Sequence, residues 1–227
     1  MSEFNPWRSS LSADYYNEHL ALFRALTGGK CIYISGQMTS GIRESASASL
    51  IKVSKEPGAL KAMRRALNDQ ELRYVRDVLQ AANPYIRVIA PCELDEHYPK
   101  LFEEWKQDDF NLFWRELIIQ IVDKIYLTPN WQYSRGGVWE AYVALYVAKK
   151  PCYEFESPMV ELTQARFVER LEQAHQHLQQ LGVGSPSFKP ADLKKVHGDM
   201  LDHLKAVPAP ATMLQQLQQA ALPERPE

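Results

Sequence analysis

The stretch NWQYSRGGVWEAY, residues 130–142, places one carboxylate, Glu140, behind a Ser-Arg-Gly-Gly turn. The residues before it are typical of a β-strand, and those after it predict a helix near 136–149. Glu140 is therefore expected in the first turn of a helix, at the carboxyl end of a strand. A glutamate there can simply complement the helix dipole. It can also act as a nucleophile toward a ligand bound above the sheet.

The turn before Glu140 carries groups that could hold such a ligand. Ser134 can cap the helix or donate a hydrogen bond, and Gly136 and Gly137 leave bare backbone amides that can approach an anion. The aromatic side chains of the stretch could stack on a flat base or could pack in the core; they are Trp131, Tyr133 and Trp139.

A second polar loop, SGQMTSGIRES at residues 35–45, follows the first predicted strand. It is neither a Walker A loop nor a GxGxxG turn. Gly36 and Gly41 would let the backbone approach a ligand, and Arg43 could pair with a phosphate oxygen. Hydroxyl donors are also present, namely Ser35, Thr39 and Ser40. An ordinary turn with a surface arginine is the alternative.

Two adjacent carboxylates, Asp108 and Asp109, lie in a helix predicted near 98–122. Asp109 shares a stripe with apolar residues, and an acid on such a face is either a misfit at the helix surface or a cleft residue. Asp108 also neighbours Trp105, so the spacing favours Asp109 only slightly.

Short β-rich runs alternate with helix-length segments through the middle of the chain. Strands are predicted near 30–36, 86–91, 123–129 and 151–157, and helices near 58–82, 98–122 and 136–149. This alternation predicts an α/β fold, a flavodoxin-like or Rossmann-like parallel sheet with helices on both faces. Ligands of such sheets bind at the carboxyl ends of the strands.

The chain is expected to have three parts: an N-terminal helical extension (1–29), the α/β domain (30–157), and a helical C-terminal extension with a tail (158–227). The first part contains a helix near 12–26. The last contains a helix near 160–181 and a weaker helical stretch near 191–206, followed by a tail rich in Pro and Gln.

Bulk composition limits the partners. The 227 residues carry a formal charge of −2 with no long Lys/Arg run, which gives no electrostatic reason to expect duplex nucleic acid or an anionic membrane as partner. No apolar run approaches a membrane span, and the polar N-terminus lacks the apolar core of a signal peptide, so we expect a cytoplasmic protein. The cysteines have no metal-binding spacing, and we expect reduced packing residues at Cys31, Cys92 and Cys152.

These motifs together resemble the nucleoside 2-deoxyribosyltransferase-like superfamily, which includes the nucleoside 5′-monophosphate N-glycosidases. The resemblance rests on IYISGQMTSGIRE, the acid of the middle helix, and NWQYSRGGVWEAYVALYVAKKP between two strands, and it spans residues 30–156. It implies that Glu140 is the nucleophile, that Ser134 binds substrate, and that Asp109 or Asp108 assists at the sugar or base. Phosphate and sugar contacts would fall on Tyr33, Gly36, Gln37, Met38 and Arg43.

The activity implied is cleavage of the N-glycosidic bond of a nucleoside or nucleoside 5′-monophosphate, by hydrolysis or base transfer, through a covalent glycosyl-enzyme. No cofactor or metal is implied. Members of the family commonly assemble from several subunits, so a homodimer or larger homo-oligomer is expected, with the helix near 160–181 contributing.

Two other functions stay open. A Ser followed six residues on by a Glu is also similar to the motif of TIR domains that cleave NAD. The C-terminal third, which matches nothing in the family, would suit a non-catalytic nucleotide-binding sensor or adaptor.

Overall fold

The computed structural model describes residues 20–37, 57–93 and 107–181, except residues 22 and 26. Several predicted features lie outside these ranges, among them Met38, Arg43, the start of the N-terminal helix, the stretch near 191–206 and the tail. Of the predicted N-terminal helix, the described residues between 20 and 27 are helical.

The described residues form a mixed, mostly parallel five-stranded sheet with helices, which is compatible with the predicted α/β class. The strands are β1 (Cys31–Ser35), β2 (Arg87–Ile89), β3 (Val122–Leu127), β4 (Cys152–Glu154) and β5 (Val160–Glu161). Their order is β2-β1-β3-β4-β5. The first four strands are parallel, and β5 pairs antiparallel with β4.

Among the described residues, four longer helices accompany the strands: α1 (Pro57–Ala82), α2 (Gln107–Gln120), α3 (Arg135–Tyr142) and α4 (Gln164–Leu181). A 3₁₀ turn, Trp131–Tyr133, precedes α3, and a π-helical turn, Val143–Val147, follows it. The helix predicted near 136–149 is thus divided between an α-helix and a π-helical turn.

The helix predicted near 160–181 begins later than expected. Residues 160–161 form β5 instead, because Val160 is β-branched and pairs with Glu154 of β4. The helix starts after Thr163, whose Oγ1 accepts a hydrogen bond from the Arg166 amide at 3.2 Å. Both β5 and α4 lie beyond the predicted boundary at residue 157, and β5 extends the sheet.

Side chains alternate across the strands, so each face of the sheet has its own core. Ile32 and Ile34 pack on one face with Leu72, Val75 and Leu79 of α1. The opposite face packs against the other three helices through Cys31, Tyr33, Leu117, Val138 and Phe167. β1 is completely buried between these layers.

Two further observations concern the sequence-based expectations. The three cysteines are buried and form no disulfide. Within the described segments, no helix combines the length and the apolar character that a membrane crossing requires.

Candidate functional site

Glu140 contacts the middle of β1 through Tyr33. Its side chain is buried, with 9% of the residue surface exposed, and the Tyr33 hydroxyl donates to Glu140 Oε1 at 3.0 Å. Ser35 is fully buried two residues after Tyr33, on the same face of the strand. The ring of Tyr33 in turn lies 5.3 Å from that of Trp114. A carboxyl group is therefore held against a strand by a tyrosine that is itself fixed by packing.

Burial changes the acidity of both groups. Removal from water raises the pKa of Glu140 from 4.5 to about 7, because the charged form loses its hydration. The hydroxyls of Ser35 and Tyr33 oppose this shift, although among the described residues only the Tyr33 bond has full hydrogen-bond geometry. Burial, followed by the charge of Glu140, raises the pKa of Tyr33 well above 10, so Tyr33 remains a donor.

The Tyr33–Glu140 pair lies where the strand order reverses. β1 has β2 on one side and β3 on the other, so the crossover from β1 to β2 and the crossover from β2 to β3 run in opposite directions across the sheet. Ligands of such sheets bind in the crevice at this point, beyond the carboxyl ends of the strands. The Thr128 amide donates to the Ser35 carbonyl at 2.8 Å, which fixes those two ends beside each other. Glu140 reaches this region from the helix that follows β3.

The turn before Glu140 is built largely by its own contacts. Ser134 is the N-cap of α3, and its Oγ accepts from the Gly137 amide at 3.3 Å. A Cβ at residue 137 would lie 2.9 Å from the Trp131 carbonyl oxygen, so the glycine permits close packing of the turn. At Gly136 a Cβ would lie no closer than 4.0 Å to Ser134 Oγ, so this position has open space beside it.

The first loop is tied to the loop after β3. A Cβ at Gly36 would overlap Thr128 Oγ1, so a glycine at this position allows the ends of β1 and β3 to lie in contact. Gln37 is buried, and its Nε2 donates to the Asn130 carbonyl at 2.7 Å. Asn130 has φ 64°, a left-handed conformation that asparagine tolerates better than most residues.

Trp131 lies in the core. Only 1% of its surface is exposed, its ring stacks on Phe167 at 5.7 Å, and its Nε1 donates to Glu154 Oε1 at 3.1 Å. These contacts favour the packing alternative over the stacking of a ligand base. Asp108 and Asp109 occupy the beginning of α2, but their side chains lie outside the described part of the chain.

Sequence reasoning did not single out Glu154, a buried acid at the carboxyl end of β4. Burial alone would raise its pKa, but hydrogen bonds from Arg166, Arg170 and Trp131 outweigh burial and lower the pKa. Two arginines four residues apart on a helix, after an acid in an apolar strand, are the signal that could have indicated this cluster.

Pocket size does not single out the Glu140 region. A surface pocket of about 480 Å³ is lined by Thr27, Tyr85 and Arg87, at the amino ends of the strands, away from the predicted site residues. A smaller pocket of about 140 Å³ lies at the carboxyl ends of β3 and β4, beside Asn130 and Glu154. We locate the candidate site by its buried acid and its topology rather than by volume.

Neither a cluster of metal ligands nor a similar protein assigns a function to this site. In the described ranges, no group of three or more His, Cys, Asp or Glu side chains is arranged to hold a metal ion. No protein-family model matches the chain, and no curated protein or solved structure is significantly similar to it. The resemblance inferred from the sequence motifs therefore stays a prediction.

Proposed function

We propose that this protein cleaves the N-glycosidic bond of a nucleoside or nucleoside 5′-monophosphate, with Glu140 as nucleophile. The observation that carries the proposal is the buried Glu140 carboxyl group, hydrogen-bonded to Tyr33 on β1, the strand at which the strand order reverses. Buried acids with raised pKa values are concentrated at catalytic sites. The order β2-β1-β3-β4 supports the flavodoxin-like form of the α/β fold, from which the antiparallel β5 departs.

In the proposed reaction, the ionised Glu140 attacks the anomeric carbon while the bond to the base breaks. The bonding electrons leave with the base, and an ester forms between Glu140 and the sugar. Water, or a second base, then attacks the same carbon and releases the carboxylate. The Tyr33 hydroxyl orients Glu140 through its 3.0 Å hydrogen bond. Asp109 or Asp108 assists at the base or sugar, and no metal or cofactor takes part.

Substrate binding is assigned to the two loops that follow β1 and β3. Ser134 and Gly136 lie at the start of the Glu140 helix, and Gly136 has open space beside it. Arg43 is proposed to bind the 5′-phosphate, which would favour a nucleotide as the substrate and hydrolysis as the reaction. The proposed location is the cytoplasm.

The decisive experiment is base release from a panel of ribo- and deoxyribonucleosides, their 5′-monophosphates and NAD, separated by chromatography. Glu140→Gln, which keeps the side-chain volume, should lower the rate by several orders of magnitude while the protein remains folded. Glu161→Gln is the matched control, because Glu161 is an exposed residue of β5. If folded Glu140→Gln keeps more than about a tenth of the rate, a change under about 1.4 kcal/mol in barrier, Glu140 is not the nucleophile.

The same panel separates the other two functions. Release of nicotinamide from NAD alone would identify a TIR-like NAD glycohydrolase. Binding of nucleotides without turnover would identify a sensor or adaptor.

Assembly into a homodimer or larger homo-oligomer remains part of the proposal. The apolar face of α4 packs inside its own chain through Phe167, Leu171 and Ala174, so the interface must use another surface of this helix or another element. Sedimentation velocity at micromolar concentration tests the assembly, and a monomer with full activity would contradict it.

A further inference from the structure

Glu154 connects three elements near the candidate site. It lies at the end of β4 with only 3% of its surface exposed. Its Oε1 accepts hydrogen bonds from Trp131 Nε1 at 3.1 Å and from Arg170 Nε at 2.8 Å. Its Oε2 forms an ion pair with Arg166. One buried carboxylate thereby joins the sheet, the 3₁₀ turn before α3, and α4.

The 3₁₀ turn and α4 are joined by two further contacts. The ring of Trp131 stacks on Phe167 of α4, with the ring planes 14° apart. Tyr133 Oη and His177 Nδ1 are hydrogen-bonded at 2.8 Å. Both outer residues of the turn Trp131–Tyr133 are thus held by α4.

α4 also holds the segment that follows Glu140. The Tyr146 hydroxyl donates to the Gln164 carbonyl at 3.3 Å, and Gln164 Nε2 donates to the Leu145 carbonyl at 3.3 Å. Tyr146 and Leu145 both belong to the π-helical turn, so these bonds attach the turn to α4. A π-helical turn is an unusual geometry that is frequent at functional sites. The helix that carries Glu140 is therefore fixed at both of its ends by one element.

We infer that Glu154 is a positioning residue for Glu140, because it fastens to α4 the turn from which the Glu140 helix starts. The Ser134 amide donates to the Trp131 carbonyl at 2.9 Å, so a displaced Trp131 would displace the cap of α3. A buried ion pair adds little net stability compared with apolar packing, and in some proteins its role is to specify geometry. The catalytic meaning of this role rests on the proposed function, but the positioning itself can be measured without a substrate.

The test is a pH titration of Glu140 that is monitored by infrared difference spectroscopy of its carboxyl group. The Glu140→Gln variant identifies which infrared signal belongs to Glu140. Trp131→Phe keeps the aromatic ring and removes the Nε1 donor, and Glu154→Gln removes the charge. Each should loosen the turn, admit water to Glu140, and lower its pKa from about 7 to about 6 or below. Glu156→Gln is the control, since Glu156 pairs with the same arginines but is an exposed residue.

The outcomes are distinct. Lowered pKa values in Trp131→Phe and Glu154→Gln, with Glu156→Gln unchanged, support positioning. If Glu154→Gln does not fold, Trp131→Phe decides alone, because it leaves the ion pairs of Glu154 in place. A folded Trp131→Phe with lower thermal stability and an unchanged Glu140 titration would show a merely structural contact and overturn the inference. Altered titration in a protein that releases no base would keep the positioning and reject the proposed function.

Discussion

At the scale of single residues, Glu140 combines two properties that seldom occur together in a structural glutamate. It is buried, and its hydrogen bond from Tyr33 is made by a group that stays protonated. A glutamate that only complements a helix dipole is normally exposed, and the dipole favours its charged form. Here burial disfavours the charged form of Glu140, so this acid lowers the free energy of unfolding at neutral pH.

The first prediction follows from that cost. The folded protein keeps the Glu140 proton up to about pH 7, whereas the unfolded chain loses it near pH 4.5. The protonated Glu140 therefore contributes fully to the free energy of unfolding below pH 4.5. This contribution, about 3 kcal/mol at most, is lost as the pH rises through 7. Chemical denaturation of wild type and Glu140→Gln at pH 5 and pH 8 measures it. The Gln variant should gain stability relative to wild type at pH 8, and an equal difference at both pH values would contradict a raised pKa.

The second prediction distinguishes nucleophile from acid. A nucleophile must be ionised, so kcat/KM for base release should rise with pH through an apparent pKa of about 7. A general acid must be protonated and would give the opposite slope. The measurement is the pH–rate profile on the best substrate of the panel. A falling profile around pH 7 would reassign Glu140 as the acid.

At the scale of elements, the sequence periodicity predicted the parallel strands and the helices between them, because apolar alternation and helical spacing are local properties. Two features escaped it. The pairing of Val160 with β4 depends on a neighbour in space, which local periodicity does not reveal. Apolar residues of the helix predicted near 58–82 also differ in burial, since Leu72 and Leu79 of α1 are buried while Met63 is 57% exposed.

The candidate site was predicted in part for the same reason. Glu140 followed from its place after a strand and a glycine turn, which are readable locally. The bond from Gln37 to Asn130 spans 93 positions, and the Trp131–Glu154 bond spans 23, so neither is encoded in a local pattern. Gly36 and Gly137 illustrate a second limit, because a glycine needed for close packing has the same letter as one needed for ligand approach.

The third prediction concerns the cap of α3. Ser134→Ala removes the acceptor of the buried Gly137 amide and should cost about 1 kcal/mol, up to about 2. Thr163→Ala removes the equivalent cap of α4 at an exposed residue and provides the scale for a simple cap loss. Denaturant melts give both values. Base release should fall only for Ser134→Ala, and equal activities would show that Ser134 caps the helix without serving substrate.

At the scale of the whole molecule, the sheet has two edges, and the β2 edge is closed by side chains. Gln80 of α1 accepts from the Val88 amide at 3.0 Å and donates to the Ile86 carbonyl at 3.0 Å. Glu93 accepts from the Ala90 amide at 3.3 Å and is ion-paired with Arg76. These backbone groups would otherwise offer a pairing site to another strand. Within the described segments, amide and carboxylate groups protect this edge, and no further strand pairs with it.

The fourth prediction tests this protection through Gln80→Leu, which is close in size but cannot bond to the edge strand. The Val88 amide and the Ile86 carbonyl would lose their partner, which should cost about 1–3 kcal/mol of stability. The open edge should also make the protein aggregate at a lower temperature, measured by light scattering during heating. Gln173→Leu is the matched control, because Gln173 is an exposed residue of α4 whose amide donates to Glu169 on the same helix and not to a strand edge of the described sheet. A more apolar surface alone would affect both variants alike. Aggregation specific to Gln80→Leu would therefore come from the exposed strand edge, whereas equal onset temperatures would show that Gln80 does not guard it.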